Sequence, residues 1–439
     1  MLTQILICAF CFLVLAWHSR LIGISLGLPI AYLFAMLLQH LPGALAHAVA
    51  GKSIFPDSSA TQIGLEYTMI GTICFVTGAV LAQRIIKSKS GKSDPRWLQQ
   101  RGMRRFAVYC LRGGWLVACA TIFLGQIPSI GAAIEKAGAI WILGVMIGLL
   151  ASVKQRRAGN FFLWLVALSV YPLVVLIAGG FLSFGSTSIF VVLSALLVMM
   201  KSNVRAYTGV VLFTAFSFLA FLSYFQNRSD IRAAVWGGES LEKKITTSAT
   251  IFTQIEWFDY RNLSQINALD VRLNQNQFVG WAAQKIESGR GDFLHGRSIW
   301  EGLQAIVPRI LWSNKPYFAG SSEIIREMAD FEVNESTTYG VGLVLELYVN
   351  FGVPSLVVGF LLFGFAYGWI DCNAAIALQG SEFVRAILWF LPGVALSAPL
   401  ASIAELMGNV AAAIIGAFAW CWAWTLSEGA KAPDKRPVE

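Results

Sequence analysis

Long, mostly uncharged apolar runs recur through most of this chain. A helix rises ~1.5 Å per residue, so about 20 such residues cross the ~30 Å hydrocarbon layer of a bilayer. Runs of this kind fall at about 4–18, 21–40, 64–83, 107–126, 138–153, 161–179, 184–200, 207–225, 343–370, 386–404 and 407–426. They predict an all-α polytopic membrane protein with about eleven transmembrane helices. The first run has no positive charge before it and no small-x-small site after it, so it is expected to stay as a helix rather than be removed as a leader.

Composition agrees. Of 439 residues, 56% are hydrophobic and only 13% are charged, about half the charge of an ordinary soluble domain. That excludes a soluble enzyme, a disordered chain and a DNA-binding domain. The seven cysteines lie in or beside apolar runs, a pattern of small packed hydrophobes rather than of disulfides or zinc.

The net charge of +8 invites a nucleic-acid reading until the positions are examined. Arg84, Lys87, Lys89, Lys92, Arg96, Arg101, Arg104 and Arg105 crowd one short loop. Lys154, Arg156 and Arg157 lie in a second, Lys201 and Arg205 in a third, and Lys431, Lys435 and Arg436 in the tail. Counting spans puts all of these on one side, the cytoplasmic one by the positive-inside rule. The charge then reads as a topological signal, and no nucleic acid is expected as a partner. Four parts follow: an N-terminal bundle of about eight helices (1–224), a hydrophilic external segment (225–342), about three C-terminal helices (343–427) and a cytoplasmic tail (428–439). The external segment is nearly neutral, with 12 Lys+Arg against 14 Asp+Glu in 118 residues, and it has no cysteine. A mainly helical loop domain is expected there.

Its chemistry gathers between Asn267 and Gly320. Residues 268–280 are expected to form one helix, with Arg272, Asn276 and Gly280 in line at i, i+4, either a ligand-facing strip or a solvated face. Ser288 to Arg297 is a glycine-rich loop carrying Arg290, His295 and Arg297. His295 is a candidate base or phosphate ligand, or a loop residue that only hydrogen-bonds. An amphipathic helix is expected over 298–307. Pro308 suits the first position of a new short helix, which would put Arg309 beside free N–H groups and a positive dipole end, a diphosphate-binding arrangement. Trp312 follows one turn on, to stack on a sugar or to anchor in the membrane interface. In the next span, Glu346 and Asn350 share a face, and an intramembrane carboxylate is costly enough to suggest a role as base, substrate contact or structural ion pair.

Two segments, Pro308-Arg309-Ile310-Leu311-Trp312-x-x-Lys315-Pro316 and Glu346-Leu347-Tyr348-Val349-Asn350-Phe351-Gly352, resemble stretches of bacterial oligosaccharide repeat-unit polymerases, the Wzy-type proteins of O-antigen and exopolysaccharide synthesis. Arg309 followed by ten residues and Gly320 is similar to an Arg-x10-Gly pattern of their external loops; a second such loop is not clear here. The resemblance implies a GT-C-like, metal-independent glycosyltransferase without cofactor, in the bacterial inner membrane with its large loop in the periplasm. It implies undecaprenyl-diphosphate-linked glycans as substrate, with membrane lipids, a chain-length regulator and a flippase as partners. Arg309, Glu346 and His295 would then be catalytic, and Arg272, Asn276, Arg290, Arg297, Trp312, Lys315, Tyr348 and Asn350 would bind substrate. The external loop at 41–63 holds only one acid, Asp57, where metal-dependent relatives usually pair two. Rival expectations are an O-antigen ligase, a flippase or other transporter, and a structural part of an export complex. The absence of a sequence repeat weighs against a transporter.

Overall fold

The computed structural model describes residues 1–50, 54, 55, 57–89, 97–99, 101–124, 130–179, 183–200, 208, 219, 223, 224, 230–235, 237, 239–253, 259, 262–316, 318, 321–331, 340 and 342–429. Those residues are overwhelmingly helical, with no strand among them. The N-terminal helices are α1 (Leu2–Ile22), α2 (Leu28–Ala50), α3 (Ser59–Lys89), α4 (Arg101–Leu124), α5 (Ile130–Gly138), α6 (Ile140–Lys154), α7 (Ala158–Gly179) and α8 (Ser183–Met199). The middle holds α9 (Leu241–Thr253), α10 (Leu263–Leu273), α11 (Asn276–Glu287), α12 (Arg297–Ala305) and α13 (Ser321–Ala329). The C-terminal helices are α14 (Gly342–Phe351), α15 (Val353–Gln379), α16 (Phe383–Ala395) and α17 (Ile403–Gly429).

Six helical stretches among the described residues are long and apolar enough to cross a membrane: Leu2–Ile22, Leu28–Val49, Ser59–Lys89, Gly131–Lys154, Val353–Gln379 and Ile403–Ser427. Shorter apolar helices occupy Gly159–Val170, Ser186–Met199, Gly342–Phe351 and Phe383–Ala395. The expected span 207–225 lies almost wholly outside the described residues, as do Gly320 and the tail from 430.

Three expected spans are built differently. The run 343–370 is broken at Gly352, where φ is +68° and ψ −148°, a backbone conformation that a residue with a Cβ resists. The chain turns back there. Leu347 packs on Gly359, whereas positions twelve apart in a straight helix lie ~18 Å from each other. The runs 386–404 and 407–426 are divided not at 405–406 but by a non-helical stretch, 396–402. This stretch contains Pro399, and the helix before it, α16, has only thirteen residues, ~20 Å.

Close packing centres on α3. A Cβ on Gly78 would meet the Leu361 carbonyl of α15 at 2.1 Å, and one on Gly364 would meet the Phe75 carbonyl at 2.1 Å. Pairs 71/360, 75/364 and 79/368 advance together, so α3 and α15 run parallel. Small residues let the two backbones touch, the usual way apolar helices pack without a hydrophobic gradient between them. Beside this seam Tyr32, Phe75, Phe363 and Tyr367 form an aromatic cluster.

The hydrophilic segment is not packed apart from the bundle. Helix α10 lies on α2, α11 on α3 and α14, and α12 on α17. Gly64 and Gly280 make the α11–α3 contact, a Cβ on Gly280 falling 1.9 Å from the Ala60 carbonyl.

Candidate functional site

The predicted helix 268–280 is two helices, broken at Asn274 and Gln275. The break is held by a buried polar cluster. His47 Nε2 lies 2.8 Å from Asp270 Oδ1 and its Nδ1 2.9 Å from Ser58 Oγ. With a carboxylate on Nε2, that nitrogen carries a proton. Asn274 and Gln277 also donate to Asp270, at 2.6 and 2.7 Å, and Phe55 stacks on the imidazole at 3.9 Å. Two turns earlier on α2, His40 Nδ1 is 2.9 Å from Asn276 Oδ1, Thr68 donates to the same oxygen at 2.9 Å, and Asn276 Nδ2 donates to the His40 carbonyl at 2.6 Å. Asn276 is thus enclosed and hydrogen-bonded, not on one strip with Arg272 and Gly280. Arg272 is half-buried near the end of α10, and Gly280 faces α3. Sequence reasoning passed over His40 and His47, although two histidines two turns apart on an apolar helix were a visible signal.

Most of the remaining predicted residues converge where α3, α11 and α14 meet the loop 288–297. That loop satisfies the C-terminal carbonyls of α14, with Leu294 N donating to Val349 O at 2.8 Å and His295 N to Asn350 O at 3.2 Å. To do so His295 takes φ +46°, uncommon for a residue with a side chain. An aromatic ledge results. Tyr67 and Tyr348 stack at 4.3 Å, Phe293 lies 6.3 Å from Tyr348, and His295 lies 6.5 Å from Phe293 and 6.3 Å from Phe351. The Tyr67 hydroxyl lies 3.4 Å from the Tyr348 hydroxyl and 3.5 Å from Glu287 Oε1, either of which can take its one proton. His295 is exposed on this ledge.

The last turn of α11 and the same loop carry the basic groups. Lys285 is ion-paired with Asp330, Arg297 with Glu327, and Arg290 Nη1 lies 4.0 Å from Asp330. The Glu327 hydrogen bond holds the Arg297 guanidinium above the ordinary arginine range. Arg290 remains 67% exposed, so an anion can reach it without unpacking the fold.

Glu346 and Asn350 lie behind the ledge, both buried. Glu346 Oε2 accepts from Ile403 N at 2.6 Å, at the start of α17. Ser402 and Glu405 close a reciprocal capping box on the same end, at 2.9 and 3.2 Å. Asn350 Nδ2 donates to Ser298 Oγ at 2.7 Å and to the Glu346 carbonyl at 2.6 Å. These residues join α14, α12 and α17.

The short helix expected after Pro308 is a single turn, in which Leu311 N and Trp312 N both reach the Pro308 carbonyl. Arg309 donates to the carbonyls of Lys315, at 2.7 Å, and Pro316, at 3.3 Å. Lys315 Nζ donates to Ala305 O at 2.9 Å and Val307 O at 2.7 Å. Burial, then the nearby Arg309 charge, lowers the Lys315 pKa. Trp312 is half-buried beside them.

Fold and site together describe a helical membrane protein with an aromatic and cationic loop at one end of its apolar bundle. The chain belongs to the family described as a domain of unknown function, DUF8712, which matches residues 50–393. Neither the curated proteins nor the solved structures contain a match to it.

Proposed function

We propose that this protein is a glycosyltransferase of the bacterial inner membrane that polymerises undecaprenyl-diphosphate-linked oligosaccharide repeat units at the periplasmic face. The observation that carries the reading is the meeting of the aromatic ledge, Tyr67, Tyr348, Phe293 and His295, with the cations Lys285 at the end of α11 and Arg290 and Arg297 on the loop that follows it, at the end of the bundle. Aromatic faces suit sugar rings, and guanidinium groups suit a diphosphate. In the reaction a sugar hydroxyl attacks the anomeric carbon of a second chain. The bond to the carrier diphosphate breaks, and the diphosphate leaves with the electron pair. Arg290 and Arg297 stabilise that charge by exchanging Asp330 and Glu327 for phosphate oxygens, and His295 takes the hydroxyl proton. Glu346, held against Ile403, positions α14 and its Tyr348. A GT-C-like architecture of about eleven spans, and association with a flippase and a chain-length regulator, belong to the same proposal.

The test is a strain lacking this chain. It is expected to lose long-chain polysaccharide and accumulate single repeat units on the carrier lipid. An Arg290→Ala variant present at normal levels should lower polymerisation by about 10²-fold, the scale of losing one preorganised donor, and Tyr348→Ala should lower it as well. Unchanged polysaccharide length in the deletion strain overturns the reading, and long glycans left on the carrier lipid redirect it to a ligase. Synthesis by the purified protein should persist in excess EDTA. Loss there, restored by Mg²⁺ or Mn²⁺, overturns the metal-independent mechanism.

A further inference from the structure

We infer that residues 297–316 form an in-plane membrane anchor, whose face of Trp300, Leu303, Ile306, Val307, Ile310 and Leu311 inserts into the acyl-chain edge of the outer leaflet.

The first observation is the pattern of exposure. These six side chains lie within twelve residues of an otherwise hydrophilic segment, and Trp300, Ile310 and Leu311 are 62, 71 and 78% exposed. Positions 300, 303 and 307 share one face of α12 and its C-terminal turn, and 310 and 311 extend that face through the next turn. The opposite face is committed to the bundle. Ser298 is buried and accepts from Asn350, and Gly302 sits so close to Ile403 that a Cβ would lie 2.5 Å from its Cγ2.

The second observation is the direction of the charges. In a water-exposed loop, cations point outward and backbone carbonyls are solvated. Of the three cations in the hairpin 297–316, Arg297 opens α12 and pairs with Glu327, whereas Arg309 and Lys315, those of the turn that follows the helix, are half-buried and turned onto the hairpin's own carbonyls, those of residues 305, 307, 315 and 316. Lys315 thereby occupies carbonyls that the end of α12 would otherwise leave unpaired. Satisfied backbone inside and bare aliphatic groups outside is what a low-dielectric environment demands, because an unpaired carbonyl is costly there.

The third observation names the occupant. Helix α12 lies across the start of α17, one of the six stretches able to cross a membrane. The exposed side of α17 is itself apolar, with Ile414, Ile415, Phe418 and Trp422. A bilayer around α17 therefore reaches the hairpin packed on its end. Trp300 and Trp312 suit the interfacial depth at which tryptophan concentrates. The inference holds whether or not the protein transfers sugars.

The experiment uses full-length protein in liposomes. A phospholipid with a diazirine in its acyl chain, photolysed with unmodified protein, should label peptides from 297–316 as well as from α17. Single nitroxide labels, placed by Leu303→Cys, Ile310→Cys and Leu311→Cys in a background without the native cysteines, give depth. Their collision rate with oxygen relative to a water-soluble nickel chelate should exceed that of an Asp292→Cys control several-fold and approach that of Phe418→Cys. Three outcomes each overturn the anchor: a ratio equal to the Asp292→Cys control, exclusion of both reagents by a second copy or partner protein, or lipid labelling of α17 without the hairpin.

Discussion

Asp371 carries an ionisable carboxyl in the middle of an apolar helix, fully buried on α15. It accepts from Ser25 Oγ at 2.6 Å and from the backbone N–H groups of Leu26 and Leu28, each at 3.0 Å. Those amides open α2, so one side chain on α15 closes the connection that follows α1. Asp371→Leu should cost about 3 kcal/mol, because each buried donor left unpaired costs ~1–3 kcal/mol. Asp371→Asn, which still offers an oxygen, should cost less than half of that; thermal unfolding in detergent checks both. Arg309 is a cation that donates to two loop carbonyls. Arg309→Ala should lower thermal stability by about 1–2 kcal/mol while leaving the transfer rate per folded molecule within a few-fold. Arg309→Lys should restore little, since one ammonium cannot span the two carbonyls the guanidinium fork reaches. A 10²–10³-fold loss of transfer by well-folded Arg309→Ala, the size expected for a missing oxyanion donor, would instead return the diphosphate to Arg309.

Between helices, glycines decide the packing. Gly64 and Gly280 bring α11 onto α3 at backbone distance, and Gly78 and Gly364 do the same for α15. Gly280→Leu should destabilise by at least about 2 kcal/mol through overpacking. It should also expose the 288–297 loop to protease, because α11 holds that loop against α14. Cleavage of the variant at the wild-type rate in native detergent extracts would show that the loop is held by α14 alone. The elbow at Gly352 and the unwound 396–402 stretch were not readable as breaks. Hydropathy averages over about 20 residues, and neither one positive-φ glycine nor one proline lowers that average. The Asn274–Gln275 break was hidden for another reason: its cause is His40, His47 and Thr68, more than two hundred residues away in sequence.

For the whole molecule, the one-sided basic residues predict which way the bundle faces. Alkaline phosphatase fused near Ser240 should be active and a fusion near Ser90 inactive; the reverse would overturn the assignment of the ledge and the hairpin to the outer face. Membrane character and helical class were legible from the sequence alone, because burial in lipid demands long apolar runs and leaves little room for charge. The clustering of candidate chemistry in residues 285–297 and 346–351 was legible in part, from glycine, arginine and histidine crowded into one loop. Three things were decided only by tertiary structure: that Tyr67 of an early helix completes the ledge with Tyr348, that Asn276 is consumed by His40 and Thr68, and that Arg309 and Lys315 face inward. Each depends on which helices touch, and in an apolar bundle that choice rests on short-range backbone approach at glycines and on buried hydrogen bonds. Neither leaves a periodic trace along the chain.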